Sequence, residues 1–548
     1  MPVTGSSQHY ATAWEAIADR MPERPALRHG ERQVSWAGFE QRSARLAAAL
    51  QNWGYGHGDA VAAYLYNCPE YLEIFFAALK IRAVPANVNY RYTSDELLAL
   101  LENAEAKVLF FDAALRDRVA EIADRKPQLV LVEVGGQEAP PIPRSHAYDE
   151  VVAASDPAPR IWRDEDDVFL SYTGGTTGLP KGVLMRIGQS AGNSLFFRDL
   201  FFGERVGLSP LKYAVALAAD GSGPSAIPAS PLMHSTGLVF ASLPTLCGGG
   251  LVTTLRSTSF DPHELLAAVE TARPQVLAIV GDAFALPIVR ALDDGRPDGG
   301  RYDTASVRVI CSAGVAWSAR IKERLLEHLP HTTLLDACGA TEGLSYGFSQ
   351  VRRGDTLSTV TFQAARGLKV LSPQGEQLGP GQVGLLAGPT TASGYHRDPE
   401  KTAAAFLMID DEQYAIPGDL GRIETDGTVT LIGRGMATIN TGGEKVYPAE
   451  VEEAIREHPN VDDCLVLGVQ DARFGQSVAA LVVRAGAHPV DAEELANTVR
   501  TSLAGYKVPR RIRFVDQIPR LPNGKIDYAS ASALVQTGAA DNAAASRT

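Results

Sequence analysis

Residues 171–182 read Ser-Tyr-Thr-Gly-Gly-Thr-Thr-Gly-Leu-Pro-Lys-Gly, and this run constrains the chain more than any other. It follows the apolar residues Val168, Phe169 and Leu170, which read as a strand, and it leads into Val183 and Leu184, which read as another. Gly174, Gly175 and Gly178 let the backbone approach an oligophosphate and turn several N–H groups inward as an anion nest. Thr173, Thr176 and Thr177 add hydroxyl donors, and Lys181 adds a mobile positive charge. The loop has the chemistry of a phosphate cradle. It is not a Walker loop, because Gly182 follows Lys181 where Ser or Thr would be needed, and it holds no GxGxxG run. A flexible surface turn is the competing reading; three threonines, a proline and a lysine at fixed places argue against it.

A chain of 548 residues is too long for a single core, so two or more units are expected. Its net charge of −13 argues against nucleic-acid or membrane-surface partners, which select a basic face, but leaves room for a locally basic site. Cys68, Cys247, Cys311, Cys338 and Cys464 are widely spaced, with no CxxC pair. A disulfide scaffold and a zinc site are therefore not expected, and a reducing cytoplasm is. The N-terminal stretch has no apolar signal-peptide core, and no window approaches the roughly 18 apolar residues of a membrane span. Oligomeric state stays open, with a homodimer among the options.

The spacing of Leu46, Leu50 and Trp53 predicts a helix over 43–53, and residues 61–66 and 108–112 predict buried strands. Such alternation favours an α/β fold: a large N-terminal body of several stacked sheets with covering helices, then a small α+β domain. Residues 137–143 read as a loop within the body. Asp261, Pro262 and Glu264 supply a helix cap, a first-turn proline and a capping-box glutamate, and Asp398-Pro399 repeats the cap and proline. Asp426-Gly427 marks a hairpin turn. The domain boundary is placed near 434–436, followed by a helix from Pro448 and strands near 464–469, 478–483 and 512–515. This gives a large domain over 1–434, a small one over 435–530, and a tail over 531–548 expected to be disordered.

The run TGGTTGLPKG resembles the signature loop of the adenylate-forming enzymes, the superfamily of acyl-CoA synthetases, peptide-synthetase adenylation domains and firefly luciferase. Further matches follow in order: Pro231-Leu232-Met233-His234, residues 336–342 (DACGATE), Gly394-Tyr395, Pro417-Gly418-Asp419, Gly433-Arg434, residues 442–445 (GGEK) and residues 522–525 (PNGK). The resemblance spans about residues 12 to 528, and around 280–285 and 439–452 it is nearest to actinobacterial-type acyl-CoA ligases for fatty or polycyclic acids. It implies ATP with Mg2+ and coenzyme A as co-substrates. It assigns Glu342 to Mg2+, Thr341 to the α-phosphate, Asp419 to the ribose hydroxyls, Arg434 to ribose or phosphate, and Lys525 to the α-phosphate and carboxylate together. Ala313, Gly314 and Val315, with Asp336, Ala337, Cys338, Gly339 and Ala340, would wall the adenine. His234, Asp282, Phe284, Ala313, Gly314 and Gly339 would line the acyl pocket, with His234 also gating the thiol. Cys338 stands where most relatives carry an aromatic that stacks on the base, and Met436 stands where many carry a charged hinge residue.

Two half-reactions are then implied, with the small domain as a mobile lid that swings about Met436. It would withdraw Lys525 and present Gly442, Gly443 and Glu444 to a pantetheine tunnel, where side-chain-free backbone suits a narrow passage. Residues 500–525 hold seven Lys or Arg and one Asp, a net +6 that leaves −19 for the rest. Arg500, Lys507, Arg510, Arg511 and Arg513 are candidates for the CoA phosphates or for ordinary solubilising charge. The 23 residues after Lys525 are too few for a fused carrier domain, which favours free CoA. The leading reading is an AMP-forming acid–CoA ligase for a long-chain fatty acid or a bulky steroid- or terpenoid-type acid. A stand-alone enzyme that loads a carrier protein is the alternative, and a non-catalytic nucleotide-binding relative is a third.

Overall fold

A computed structural model describes residues 8–136, 142–173, 181–203, 212–213, 215–216, 223–315, 317–434, 439–441, 444–471, 475–486, 490–503, 505–520 and 526–537. The chain divides into two compact units. The first comprises Met1–Ser345, Ser349–Leu357 and Pro389–Ala415; the second comprises Tyr346–Phe348, Ser358–Gly388 and Ile416–Thr548. The boundary expected near 434–436 thus falls inside the second unit, and residues 435–438 with Met436 lie outside the described residues.

Two sheets build the first unit. One has eight strands, in the spatial order Ala392–Tyr395, Lys181–Arg186, Val168–Thr173, Val84–Asn87, Ala60–Tyr64, Val108–Asp112, Val130–Val134 and Ser145–Ala147. From Val168–Thr173 onward its neighbours are parallel, whereas the first two pairings are antiparallel. The second sheet carries Leu251–Thr254, Ser225–Pro228, Val276–Ile279, Val309–Ala313 and Thr333–Ala340 as parallel neighbours. Helices Pro262–Ala272, Gly281–Asp294 and Ala319–His328 cover one face of it over a core that includes Ile279, Ile310, Trp317, Leu325 and Leu334. Both strands expected near 61–66 and 108–112 are present, and the helix expected over 43–53 runs as Trp36–Asn52.

Local signals have mostly the predicted outcome. Asp261 caps its helix by accepting from the His263 N–H at 2.8 Å, and Asp398 accepts from the Lys401 N–H at 3.0 Å. Glu264 differs from the expected capping box: its carboxylate accepts from the N–H groups of Arg256 at 2.6 Å and Ser257 at 3.2 Å. Those loop donors would otherwise lack partners, and they draw the side chain away from the cap. Residues 137–141 of the expected loop lie outside the described residues.

In the second unit, Gly475–Arg484 pairs with Val461–Asp471, Ile439–Thr441 and Arg511–Phe514. Helices Pro448–Arg456 and Ala492–Ser502 cover one face of this sheet through Val451, Ile455, Leu495 and Val499. The expected disorder from residue 531 is corrected by helix Tyr528–Thr537, whose Ala531 and Val535 pack against Leu465, Leu467 and Leu481 on the other face. The Ala- and Ser-rich composition concealed an apolar stripe that the sheet needs covered. Residues 538–548 lie outside the described residues.

The approach to the phosphate-loop strand is fixed by buried charge. Glu15 accepts from Lys80 Nζ at 2.6 Å and from Arg163 at 2.9 and 2.8 Å, and Lys80 also reaches Glu40 at 2.8 Å. Burial pushes the Glu15 carboxyl up, but Lys80 and Arg163 outweigh it and hold the group below its ordinary value. Its contribution is therefore present above the unfolded-state pKa and is lost as the pH falls through the lower folded-state value. Glu15→Gln leaves Lys80 and Arg163 buried with less counter-charge. The expected cost is about 3 kcal/mol, read as a lower urea midpoint at unchanged slope.

Candidate functional site

The hairpin formed by Val168–Thr173 and Lys181–Arg186 closes with Thr173 opposite Lys181. The phosphate-cradle residues Gly174, Gly175, Thr176, Thr177 and Gly178 lie between these strands and outside the described residues; Thr173 is described as backbone only. Strand Ala392–Tyr395 adds to the hairpin with Tyr395 opposite Val183 and Gly394 opposite Leu184. Lys181 Nζ then stands 5.5 Å from the centre of the Tyr395 ring, within reach of a cation–π interaction. On the other side, Tyr395 Oη donates to Glu342 Oε1 at 2.7 Å. A cation, a phenol and a carboxylate are thus arrayed beside the base of the loop.

Glu342 is half-buried in the turn after strand Thr333–Ala340, next to the half-buried Thr341. Its own carbonyl accepts from Thr390 Oγ1, and the carbonyl of Gly343 accepts from the N–H of Thr391 at 3.0 Å and its Oγ1 at 3.1 Å. Gly343 has φ +77, and a Cβ there would sit 2.5 Å from Thr391 Oγ1 and 2.8 Å from the Ala392 nitrogen, so only glycine allows this approach. Among the described residues no group of three His, Cys, Asp or Glu could hold a metal. One carboxylate with an oxygen to spare beside a phosphate loop fits Mg2+ that arrives chelated by nucleotide.

Ala313 and Ala337 are partners in the parallel register, so residues 313–315 and 337–340 sit together at the carboxyl ends of adjacent strands, where open α/β sheets bind ligands. Gly314 and Gly339 are exposed there, and Val315, Cys338 and Ala340 are half-buried. Asp336 is a correction to the expected adenine wall. Its side chain lies on the helix-covered face with Leu334, is 4% exposed, and its Oδ2 meets the buried Lys322 Nζ at 2.7 Å. Burial pushes this carboxyl up to about 6, with Lys322 opposing.

Asp282 and Phe284 also engage the helix layer. Asp282 Oδ1 accepts from the Ser318 N–H at 3.0 Å at the start of helix Ala319–His328, and the Phe284 ring centre is 4.4 Å from that of Phe260. Neither lines the cavity at His234. That cavity is apolar, with Phe75, Phe169, Leu170, Met233 and Leu238 in its wall beside His234 and Ser171. Two asparagines absent from the sequence argument fix the segment that leads to His234: Asn67 bonds the backbone of Pro228, Ser230 and Leu232, and Asn87, itself in the cavity wall, bonds that of Tyr172 and Met233.

In the second unit, Asp419 and Arg434 are register partners in the antiparallel pair Asp419–Ile423 and Thr428–Arg434. The two groups expected near the ribose therefore start from facing positions; Arg434 is described as backbone only. Tyr346 Oη donates to Asp419 Oδ2, a partner the sequence did not signal. Of the basic residues near 500–525, Lys507 pairs with Glu450 at 2.6 Å, Arg520 with Asp463 at 2.8 Å, and Arg513 donates to the Leu534 carbonyl. Arg500 donates to Asn497 at 2.5 Å, and Arg510 and Arg511 are exposed. Lys525, Gly442 and Gly443 lie outside the described residues, and Glu444 is described as backbone only.

A family model described as AMP-binding enzyme matches residues 14–396, and one described as AMP-binding enzyme C-terminal domain matches residues 450–525. The chain belongs to the AMP-binding enzyme family. Relatives include a 3-oxocholest-4-en-26-oate–CoA ligase of Rhodococcus rhodochrous, 38% identical over 530 residues that cover 94% of this chain and 93% of the relative. A medium/long-chain-fatty-acid–CoA/3-oxocholest-4-en-26-oate–CoA ligase of Mycobacterium tuberculosis is 36% identical over 541 residues, 96% of each chain. The solved structure of ATP-bound MatB from Rhodopseudomonas palustris has a TM-score of 0.80 at 27% identity, over 96% of this chain and 99% of that one.

For this AMP-binding enzyme the structure brings Lys181 and Glu342 together through Tyr395, and Asp419 opposite Arg434. It directs Asp336 into the core. Tyr395 was visible only as part of a motif; its role needs the third strand. Tyr395→Phe keeps the ring under Lys181 and removes one hydrogen bond to a carboxylate, which is worth about 1.5–3 kcal/mol. The expected outcome is about a 10- to 100-fold loss of kcat/KM for MgATP, with a raised Mg2+ requirement in a metal titration.

Proposed function

We propose that this chain is an AMP-forming acid–CoA ligase for hydrophobic carboxylic acids, acting through an acyl-adenylate. The line Lys181–Tyr395–Glu342 beside the phosphate-loop hairpin carries the reading, because it sets a cation and a carboxylate next to the strands that flank the loop proposed to hold the polyphosphate. In the first step an oxygen of the acid bonds the α-phosphorus of ATP, the bond to the β-phosphate oxygen breaks, and pyrophosphate leaves. Two anions must meet, so their repulsion has to be offset. Lys181 offsets it at the loop, Glu342 would hold the Mg2+ that enters with ATP and so supply further positive charge there, and Thr341 donates to the α-phosphate. Lys525 spans the α-phosphate and the carboxylate. In the second step the CoA sulfur bonds the acyl carbon, the thiol gives up its proton, and the C–O bond to AMP breaks.

Adenine lies between residues 313–315 and 337–340, with Cys338 in its wall, and Asp419 accepts from the ribose hydroxyls with Arg434 nearby. Apolar Met233 and Leu238 beside His234 accord with a hydrophobic acid, as do relatives whose names specify a steroid acid and medium- or long-chain fatty acids. Residues 435–530 act as the lid, turning about Met436 so that Gly442, Gly443 and Glu444 replace Lys525 and line the CoA tunnel. Among the described residues no helix is long and apolar enough to cross a membrane. Cys68, Cys247, Cys311, Cys338 and Cys464 form no disulfide, which accords with a cytoplasmic site of action.

Acid-dependent pyrophosphate release across a panel of fatty, aromatic and polycyclic acids tests the reading. Release with fatty or polycyclic acids is expected, and no release with any of them sinks it. Lys525→Ala is expected to slow adenylation by about 100-fold or more while preformed acyl-adenylate still reacts with CoA near the wild-type rate. Equal loss of both half-reactions contradicts the lid assignment.

A further inference from the structure

We propose that Asn87 is a positioning residue for adenylation, one that locks the strand leading into the phosphate loop to the segment carrying His234. The inference rests on the functional reading above and adds to it a residue that no motif marks. Asn87 ends strand Val84–Asn87, the parallel neighbour of Val168–Thr173, with Ala86 opposite Leu170 as their register pair. Beyond that pair the Asn87 side chain continues the ladder. Its Oδ1 accepts from the Tyr172 N–H at 2.6 Å, and its Nδ2 donates to the Tyr172 carbonyl at 3.1 Å. The same Nδ2 donates its second hydrogen to the Met233 carbonyl at 2.6 Å. Only one orientation of the amide satisfies one N–H and two carbonyls, so the hydrogen-bond pattern fixes it.

Both partners border reacting groups. Tyr172 immediately precedes Thr173 at the start of the phosphate cradle, and Met233 immediately precedes His234 at the apolar cavity. One side chain thus couples the strand that opens the polyphosphate loop to the segment beside which the acid would lie. A misplacement of about 1 Å between reacting groups costs about 100-fold in rate, so the coupling belongs to kcat rather than to substrate affinity.

Asn67 supplies an internal control. Its amide donates to the carbonyls of Pro228 at 3.2 Å and Ser230 at 3.0 Å and accepts from the Leu232 N–H at 2.7 Å. It fixes the same segment, and these three bonds do not reach the phosphate-loop strand. A purely structural role predicts equal consequences for the two asparagines; positioning predicts different ones.

The test uses the full chain and acid-dependent pyrophosphate exchange, with dodecanoate or whichever acid of the panel turns over fastest, and rates per titrated active site. Asn87→Ala is expected to lower kcat about 10- to 100-fold with KM for ATP within about threefold of wild type, while Asn67→Ala, which leaves the phosphate-loop strand anchored, is expected to lower kcat several-fold less than Asn87→Ala does. Asn87→Ser, which retains a donor and an acceptor, is expected to fall between and keeps the test readable if the alanine variant does not fold. Asn87→Asp can accept but not donate while ionised. Its rate relative to wild type is expected to rise as the pH falls from about 8 to about 5.5 and the carboxyl gains a proton to donate. An Asn87→Ala kcat within about threefold of wild type overturns the proposal. So does an equal loss in Asn67→Ala together with a flat Asn87→Asp ratio across pH. Absence of exchange in the wild-type protein is a different result, and it overturns the functional reading first.

Discussion

Strand Val168–Thr173 is parallel to Val84–Asn87 on one side and antiparallel to Lys181–Arg186 on the other, and the rest of the candidate site depends on that change of sense. A parallel sheet delivers strand ends to one edge, where ligands bind. An antiparallel partner is what lets a short glycine-rich connection return at that same edge, so Lys181 begins the outgoing strand directly opposite Thr173. The next strand, Ala392–Tyr395, arrives from more than two hundred residues away and inherits its register from the hairpin. Only then does Tyr395 stand between Lys181 and Glu342.

The carboxylate in this array is held by backbone as much as by side chains. Thr390 and Thr391 bond the carbonyls of Glu342 and Gly343, and Gly343 is the residue that permits the close approach. Half-burial leaves the Glu342 carboxylate within reach of water, while the Tyr395 hydroxyl occupies one of its oxygens and limits its rotation. Asn67 and Asn87 perform the corresponding task for the segment at His234. Each satisfies backbone groups that no regular ladder reaches.

Charge reads differently once partners are known. The net +6 over residues 500–525 suggested a surface for nucleotide phosphates. Lys507 and Arg520 have carboxylate partners within their own unit and Arg513 caps a helix carbonyl, so part of that charge has a structural use. The acidic residues divide in the same way. Asp419 faces Arg434 across a ladder, whereas Asp336 is buried against Lys322.

By itself the sequence determined the α/β alternation, the capped helices at Asp261 and Asp398, the hairpin at Asp426-Gly427 and the motif residues Lys181, Glu342 and Asp419. Those signals are local: apolar period, cap chemistry, turn residues and a loop whose composition has few other uses. Tertiary structure decided which face of a strand each residue takes and which distant partner meets it. Asp336 belongs to a motif yet turns inward, because helix Ala319–His328 brings Lys322 to that face. Tyr395 gains its role from Glu342, 53 residues away, and from Lys181, more than two hundred away; Tyr346 and Asn87 gain theirs from partners 73 and up to 146 residues away. Helix Tyr528–Thr537 forms where composition suggested disorder, since a sheet face with Leu465 and Leu481 was open to it. Local pattern specifies what a segment can become, and burial against a partner distant in sequence selects what it does.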